Sequence, residues 1–222
     1  ATRFIFAAHA LFTCRMTEKP GGSDLSNTET IARKLAEENG FFALRGFKWF
    51  TSAIDSSVTV LLAKVAEKQG GDEKIDSHLS CFVMKIRNDK IEANKQNNLN
   101  GIKIHKLKNK LGTKALPTAE LSLRDAKAEM LGVRGRGVAT ISPLLNITRV
   151  YNTVSACGMF RRMVALCQDY ARKRRAQGKL LSNTPLHLHS LAKLVVEQNA
   201  CLHLATWILH LLGKSECQTA TS

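Results

Sequence analysis

The residues best placed to do chemistry lie in one short stretch, Met16-Thr17-Glu18-Lys19-Pro20-Gly21-Gly22-Ser23-Asp24. A Gly-Gly turn flanked by hydroxyls and free backbone N–H groups lets the main chain approach a planar or phosphorylated ligand closely. The same spelling also makes an ordinary surface loop. A second stretch, Gly46-Phe47-Lys48-Trp49-Phe50-Thr51-Ser52, is an aromatic strand that ends in two hydroxyls and reads equally well as a core strand. A third, Arg174-Arg175-Ala176-Gln177-Gly178-Lys179, puts cations after an apolar helix. It reads either as a phosphate contact or as a helix C-terminus with favourable cations and a glycine cap.

Metal chemistry is not expected. The cysteines at 14, 81, 157, 167, 201 and 217 form no CxxC pair, and their scatter favours a reduced protein without zinc. His187, His189, His203 and His210 read as packing or surface residues.

The net charge of +15 raises three kinds of partner: nucleic acid, anionic lipid or a phosphorylated ligand. Its distribution sharpens the point. Between Met130 and Val196 the acid is Asp169, against Arg134, Arg136, Arg149, Arg161, Arg162, Arg172, Lys173, Arg174, Arg175, Lys179 and Lys193. A solvated helix face with acidic partners elsewhere is the plain reading of that run. No stretch approaches the roughly 18 apolar residues of a membrane helix, so no membrane partner is expected.

The elements that must position these residues change character along the chain. Residues 41–50, 58–63, 79–86, 102–107 and 119–123 read as short strands, which predicts a small antiparallel barrel or sandwich. Residues 67–77 and 88–100 read as exposed loops. After Gly132-Val133-Arg134-Gly135-Arg136-Gly137 the apolar spacing becomes helical over 138–172, with breaks at Pro143 and Gly158. A second helix is predicted over 186–212, with Pro185 near its start. Its apolar stripe is wider than one partner helix requires. A polar tail follows from Gly213. The fold class is therefore α+β: an antiparallel β-barrel or sandwich followed by part of a helical bundle.

Taken in this order, the segments resemble the acyl-CoA dehydrogenase family. Residues 16–24 resemble its Thr-Glu…Gly-Ser-Asp signature, and Lys48-Trp49-Phe50-Thr51-Ser52 its Lys-x-Trp-Ile-Thr element. Lys110-Leu111-Gly112-Thr113, the Gly132/Gly135/Gly137 run and 174–179 resemble further landmarks. The spelling is closest to the AidB-like branch. The resemblance covers roughly residues 16–207. It implies a middle β domain over 1–130, with 1–12 the least certain part, and the first half of a C-terminal helical domain over 131–213, with 214–222 as tail. A family N-terminal helical domain and the last C-terminal helices fall outside the chain, which is expected to be truncated at both ends.

The resemblance also implies function: FAD as cofactor, an acyl-CoA as substrate, and α,β-dehydrogenation of its thioester as the reaction. Met16 and Thr17 would contact the flavin ring, and Ser23 a phosphate-side or acyl-CoA group. Phe50 stands at the family's Trp position and Ser52 at its Thr position, with Thr51 beside it. Thr148 and Arg149 stand on the substrate side, Arg149 at the position of a family arginine there. Arg174 corresponds to one that reaches a neighbouring subunit's FAD pyrophosphate, which requires a dimer or tetramer. Gln177 replaces the family's Phe in that segment. The base that takes the α-proton is a Glu beyond this stretch in most members, and in some it stands where Thr148 is, so no catalytic residue is assigned here. The resemblance leaves the electron acceptor open, an electron-transfer flavoprotein being one candidate. Mitochondrial, peroxisomal and cytosolic locations all fit an intracellular family. A second reading, also from the AidB-like branch, is a flavin protein that binds nucleic acid without dehydrogenase activity.

Overall fold

A computed structural model describes residues 12–36, 40–69, 71–88 and 98–220 of the chain. Residues 1–11 and most of the predicted 88–100 loop lie outside the described residues. The described chain divides between Ser142 and Pro143 into two compact units.

The first unit is a β-barrel. Its strands are β1 (Phe12–Arg15), β2 (Ile31–Lys34), β3 (Phe41–Ser52), β4 (Val58–Gln69), β5 (Asp72–Lys85), β6 (Ile102–Leu107) and β7 (Thr118–Leu131). The order β4-β2-β3-β7-β5 closes on itself through a β4–β5 pairing, while β1 flanks β4 and β6 flanks β7. Closure leaves few unpaired edges. Most pairings are antiparallel, as expected, but β1 and β2 each run parallel to β4. Inward alternation along the strands builds a core that includes Leu44, Leu61, Phe82, Ile86 and Leu121, all fully buried. Phe42 and Phe82 meet edge to face across it, with ring centroids 5.2 Å apart.

One predicted loop is not a loop. Residues 67–69 and 72–77 form the outer arms of the β4–β5 hairpin, with Glu67 opposite Lys74 and Gln69 opposite Asp72. Their polar composition marks strands with both faces in solvent, which hydrophobic patterning cannot tell from a loop.

The second unit holds most of α1 (Gly137–Lys173), a small hairpin of β8 (Arg175–Ala176) and β9 (Lys179–Leu180), and α2 (Pro185–Ala220). The breaks predicted at Pro143 and Gly158 do not occur, and α1 is continuous. Proline leaves the carbonyl four residues back without a donor. The Ser142 hydroxyl fills that place, donating to the Ala139 carbonyl at 3.0 Å. The predicted polar tail is corrected too, since α2 runs through Gly213 to Ala220. No helix among the described residues is long and apolar enough to cross a membrane. α1 and α2 bury Val164, Ala171, Leu191 and Ala205, yet leave Met159, Met163, Leu186 and Trp207 more than half exposed.

Candidate functional site

Residues 16–30 form a loop between β1 and β2 whose position on the barrel is fixed at both ends. At its entry the Thr17 carbonyl accepts the Trp49 N–H at 3.0 Å. At its exit the Thr30 carbonyl accepts the Lys64 N–H at 2.9 Å. Glu18 and Gly21 exchange backbone hydrogen bonds that turn the chain. Gly21 is required there, because a Cβ would lie 2.9 Å from the Asp24 carbonyl oxygen.

Glu18 ties the loop to the barrel interior. Its carboxylate accepts the Glu29 N–H at 2.7 Å, the Lys48 ammonium at 2.5 Å and the Thr30 hydroxyl. Lys48 is fully buried and also donates to the Leu62 carbonyl at 3.3 Å. Burying a charged pair is unfavourable unless geometry and further hydrogen bonds compensate, and both are present here. Asp24 is committed as well. It caps the short 3-10 helix Leu25–Asn27, accepting from the Ser26 N–H at 3.0 Å, the Ser26 hydroxyl at 2.7 Å and Asn27 at 3.1 Å. These bonds hold its carboxyl below the usual range, the Ser26 hydroxyl contributing most.

A β-bulge shapes the neighbouring strand. Between β3 and β7 the register shifts between Lys48 and Thr51, so Trp49 and Phe50 together oppose one residue. Lys48 and Thr51 both point inward, while Trp49 is half-buried and Phe50 is exposed. Lys108 sits 3.3 Å from the Trp49 ring centroid and Lys19 4.9 Å from it. Lys108 also pairs with Glu120 at 2.7 Å and, ahead of Lys106, holds its carboxyl below the usual range.

The structure therefore brings part of the predicted set together. Met16 and Thr17 are half-buried, Ser23 is exposed on the same loop, and Phe50 follows the residue bonded to Thr17. Thr51 is fully buried and its hydroxyl finds no partner among the described residues. Ser52 is half-buried and shares a hydrogen bond of 3.0 Å with Thr118. Sequence reasoning did not single out Lys48 as a partner of Glu18. A lysine flanked by the aromatics Phe47 and Trp49 was the signal.

The remaining predicted residues lie in the second unit. Thr148 is exposed on α1 and its hydroxyl donates to the Leu145 carbonyl at 2.8 Å. Arg149, also exposed, donates to Asn146 at 3.1 Å. Arg174 and Gln177 are exposed at and after the end of α1. The glycine-cap reading of 174–179 is corrected. Arg175–Ala176 and Lys179–Leu180 pair as a hairpin, turned by Gln177 at φ +50° and Gly178 at φ +76°. Paired positive φ values are what a two-residue hairpin turn requires.

The basic run is partly neutralised. Arg134 contacts Asp76 and Glu67, each at 2.6 Å, and these bonds raise its pKa while Arg134 holds Asp76 below its usual range. Lys173 pairs with Asp169 at 2.8 Å. Arg161, Arg162, Arg172, Arg174 and Arg175 are exposed on or just after α1.

Comparison with known proteins supplies the frame for this geometry. Residues 13–126 match the family model of the acyl-CoA dehydrogenase middle domain, and residues 135–220 that of the acyl-CoA dehydrogenase C-terminal domain. Acyl-CoA dehydrogenase family member 11 of Caenorhabditis elegans is 44% identical over 202 residues, covering 90% of this chain and 31% of that protein. AidB of Escherichia coli is 33% identical over 183 residues, covering 82% of this chain and 30% of its own length. The solved structure of C. elegans ACDH-11 in complex with C11-CoA superposes with a TM-score of 0.82 at 43% identity, over 93% of this chain and 34% of that one. The chain thus spans about a third of the length of these relatives. With the barrel, the anchored loop and both domain models in agreement, the chain belongs to the acyl-CoA dehydrogenase family.

Proposed function

We propose that this chain carries the flavin-binding loop, and part of the acyl-CoA-binding surface, of an FAD-dependent acyl-CoA dehydrogenase that introduces an α,β double bond into a thioester. The observation that carries the reading is the anchoring of Thr17 and Glu18 on β3, beside the exposed Phe50. FAD, when bound, accepts the hydride released from the thioester. The site fits a flat, anionic group: the loop is glycine-bearing, Met16 and Thr17 are half-buried, and Phe50 offers a ring at 43% exposure. Backbone N–H groups and the Thr17 hydroxyl can stabilise negative charge that develops on a ring beside them. Ser23 is exposed for a phosphate-side contact, and Arg174 for a pyrophosphate of a second subunit.

The proton of the reaction needs another group. Glu18 is saturated by three donors and Asp24 by its helix cap. Thr148 is a threonine whose hydroxyl is used within its own helix, and a threonine is no general base at neutral pH. We therefore assign the base to none of these three residues. Anaerobic addition of an acyl-CoA to the FAD-loaded chain tests this division of labour. The expected result is FAD binding without bleaching of the flavin band. Bleaching at a steady rate would show that a base is present.

Nucleic-acid binding is the second reading, and the exposed arginines 161, 162, 172, 174 and 175 favour it. The pairing of Arg134 with two acids takes one cation out of that run. A phosphate-driven complex would weaken steeply with salt. Anisotropy of a labelled oligonucleotide at two salt concentrations separates the readings.

A further inference from the structure

We infer that Lys48 is a positioning residue for the flavin loop: by holding the Glu18 carboxylate inside the barrel, it fixes where Met16 and Thr17 stand against β3. The inference rests on the reading above that residues 16–24 receive the flavin.

One carboxylate joins three parts of the chain. Glu18 lies at the loop's entry, Glu29 and Thr30 at its exit, and Lys48 on β3. The loop is thereby closed on itself and pinned to the strand through a single group. The neighbouring backbone bond, Trp49 N–H to the Thr17 carbonyl, holds Thr17, itself a proposed flavin contact, against the same strand. Gly46 makes the arrangement sterically feasible, since a Cβ there would clash with the Thr30 side chain.

The pair is neutral as a whole and enclosed. Its influence on a bound flavin therefore runs through the position of the loop rather than through net charge. Removing one member leaves the other buried without its counter-charge, and the loop must then move to hydrate it. Removing both charges together avoids that forced movement but gives up the charge-assisted bond.

Titration with FAD, followed by visible absorbance, tests this in the 222-residue chain and in Lys48→Met, Glu18→Gln and Glu18→Gln/Lys48→Met. Wild type should bind most tightly, the double variant less tightly, and each single variant weakest, by about tenfold or more in Kd. The shape of the flavin band should change in the same order, a readout that a purely structural pair would not move. Far-UV circular dichroism identifies the variants that fold. Where the singles do not fold, the double variant carries the test. A folded single or double variant with wild-type Kd and band shape overturns the inference while leaving the flavin reading intact. A folded wild type that binds no FAD overturns both.

Discussion

The Glu18 carboxylate and the Lys48 ammonium meet at 2.5 Å, with their side chains 2% and 0% exposed. Pairs this deep persist when further hydrogen bonds also engage the two groups, and Glu29, Thr30 and Leu62 supply three here. Breaking such a pair is far costlier than never having had it. Lys48→Met should therefore destabilise the barrel by about 3–5 kcal/mol, read as a lowered urea midpoint. A loss below about 1 kcal/mol, the range of an exposed pair, would contradict the buried geometry.

Gly46 tests the same region sterically. Alanine there would place its Cβ against backbone and side-chain atoms of Thr30, with the Cα at 2.9 Å. The expected loss is about 1–3 kcal/mol, as for overpacking elsewhere. A Gly46→Ala variant that melts at the wild-type temperature would show that Thr30 and β3 are not this close.

Acid should destabilise the barrel through its surface pairs. Arg134 depresses the pKa of Asp76, and Arg45 that of Asp125, from the ordinary 3.8. Each carboxylate is lowered in the folded state, so its contribution is full above that ordinary value and disappears as pH falls through the depressed one. Stability measured by urea titration should thus be flat from neutrality to about pH 5 and drop below about pH 4. In Arg134→Gln the acid-dependent part of the drop should shrink. An unchanged profile would mean that the Asp76 pair does not form in solution.

The hairpin turn offers a stabilising change. Gln177 holds φ +50° ahead of Gly178, a conformation that costs a residue with an ordinary side chain roughly 1–2 kcal/mol. Asparagine tolerates it better and forms the favoured Asn-Gly turn. Gln177→Asn should raise the melting temperature of the chain. A lowered one would show that the glutamine side chain is itself needed.

Much of this fold is legible in the residues. The aromatic run at 41–50 and the apolar runs at 58–63 and 79–86 are strands because one or both of their faces are buried. The arms at 67–69 and 72–77 escaped notice because a hairpin with two wet faces has a loop's composition. Pro143 looked like a helix end, but the Ser142 hydroxyl satisfies the carbonyl that the proline leaves without a donor. The Gln-Gly turn looked like a helix cap, because both motifs call for positive φ near cations. At the site, the loop was visible as a motif. Its anchor was not, since a lysine in a strand says nothing of the carboxylate it meets across thirty residues of chain. The bulge that turns Thr51 inward and leaves Phe50 outside is likewise a matter of register, which spelling alone does not fix.

The most direct test of the account is whether the chain holds a flavin. The 222-residue chain, purified, incubated with FAD and passed over a size-exclusion column, should elute with a flavin absorbance band. Elution of that band as a dimer or larger species would further support Arg174 as a contact to a partner's pyrophosphate. A folded chain that elutes colourless after incubation with FAD would contradict the central claim that the Glu18-anchored loop is a flavin site.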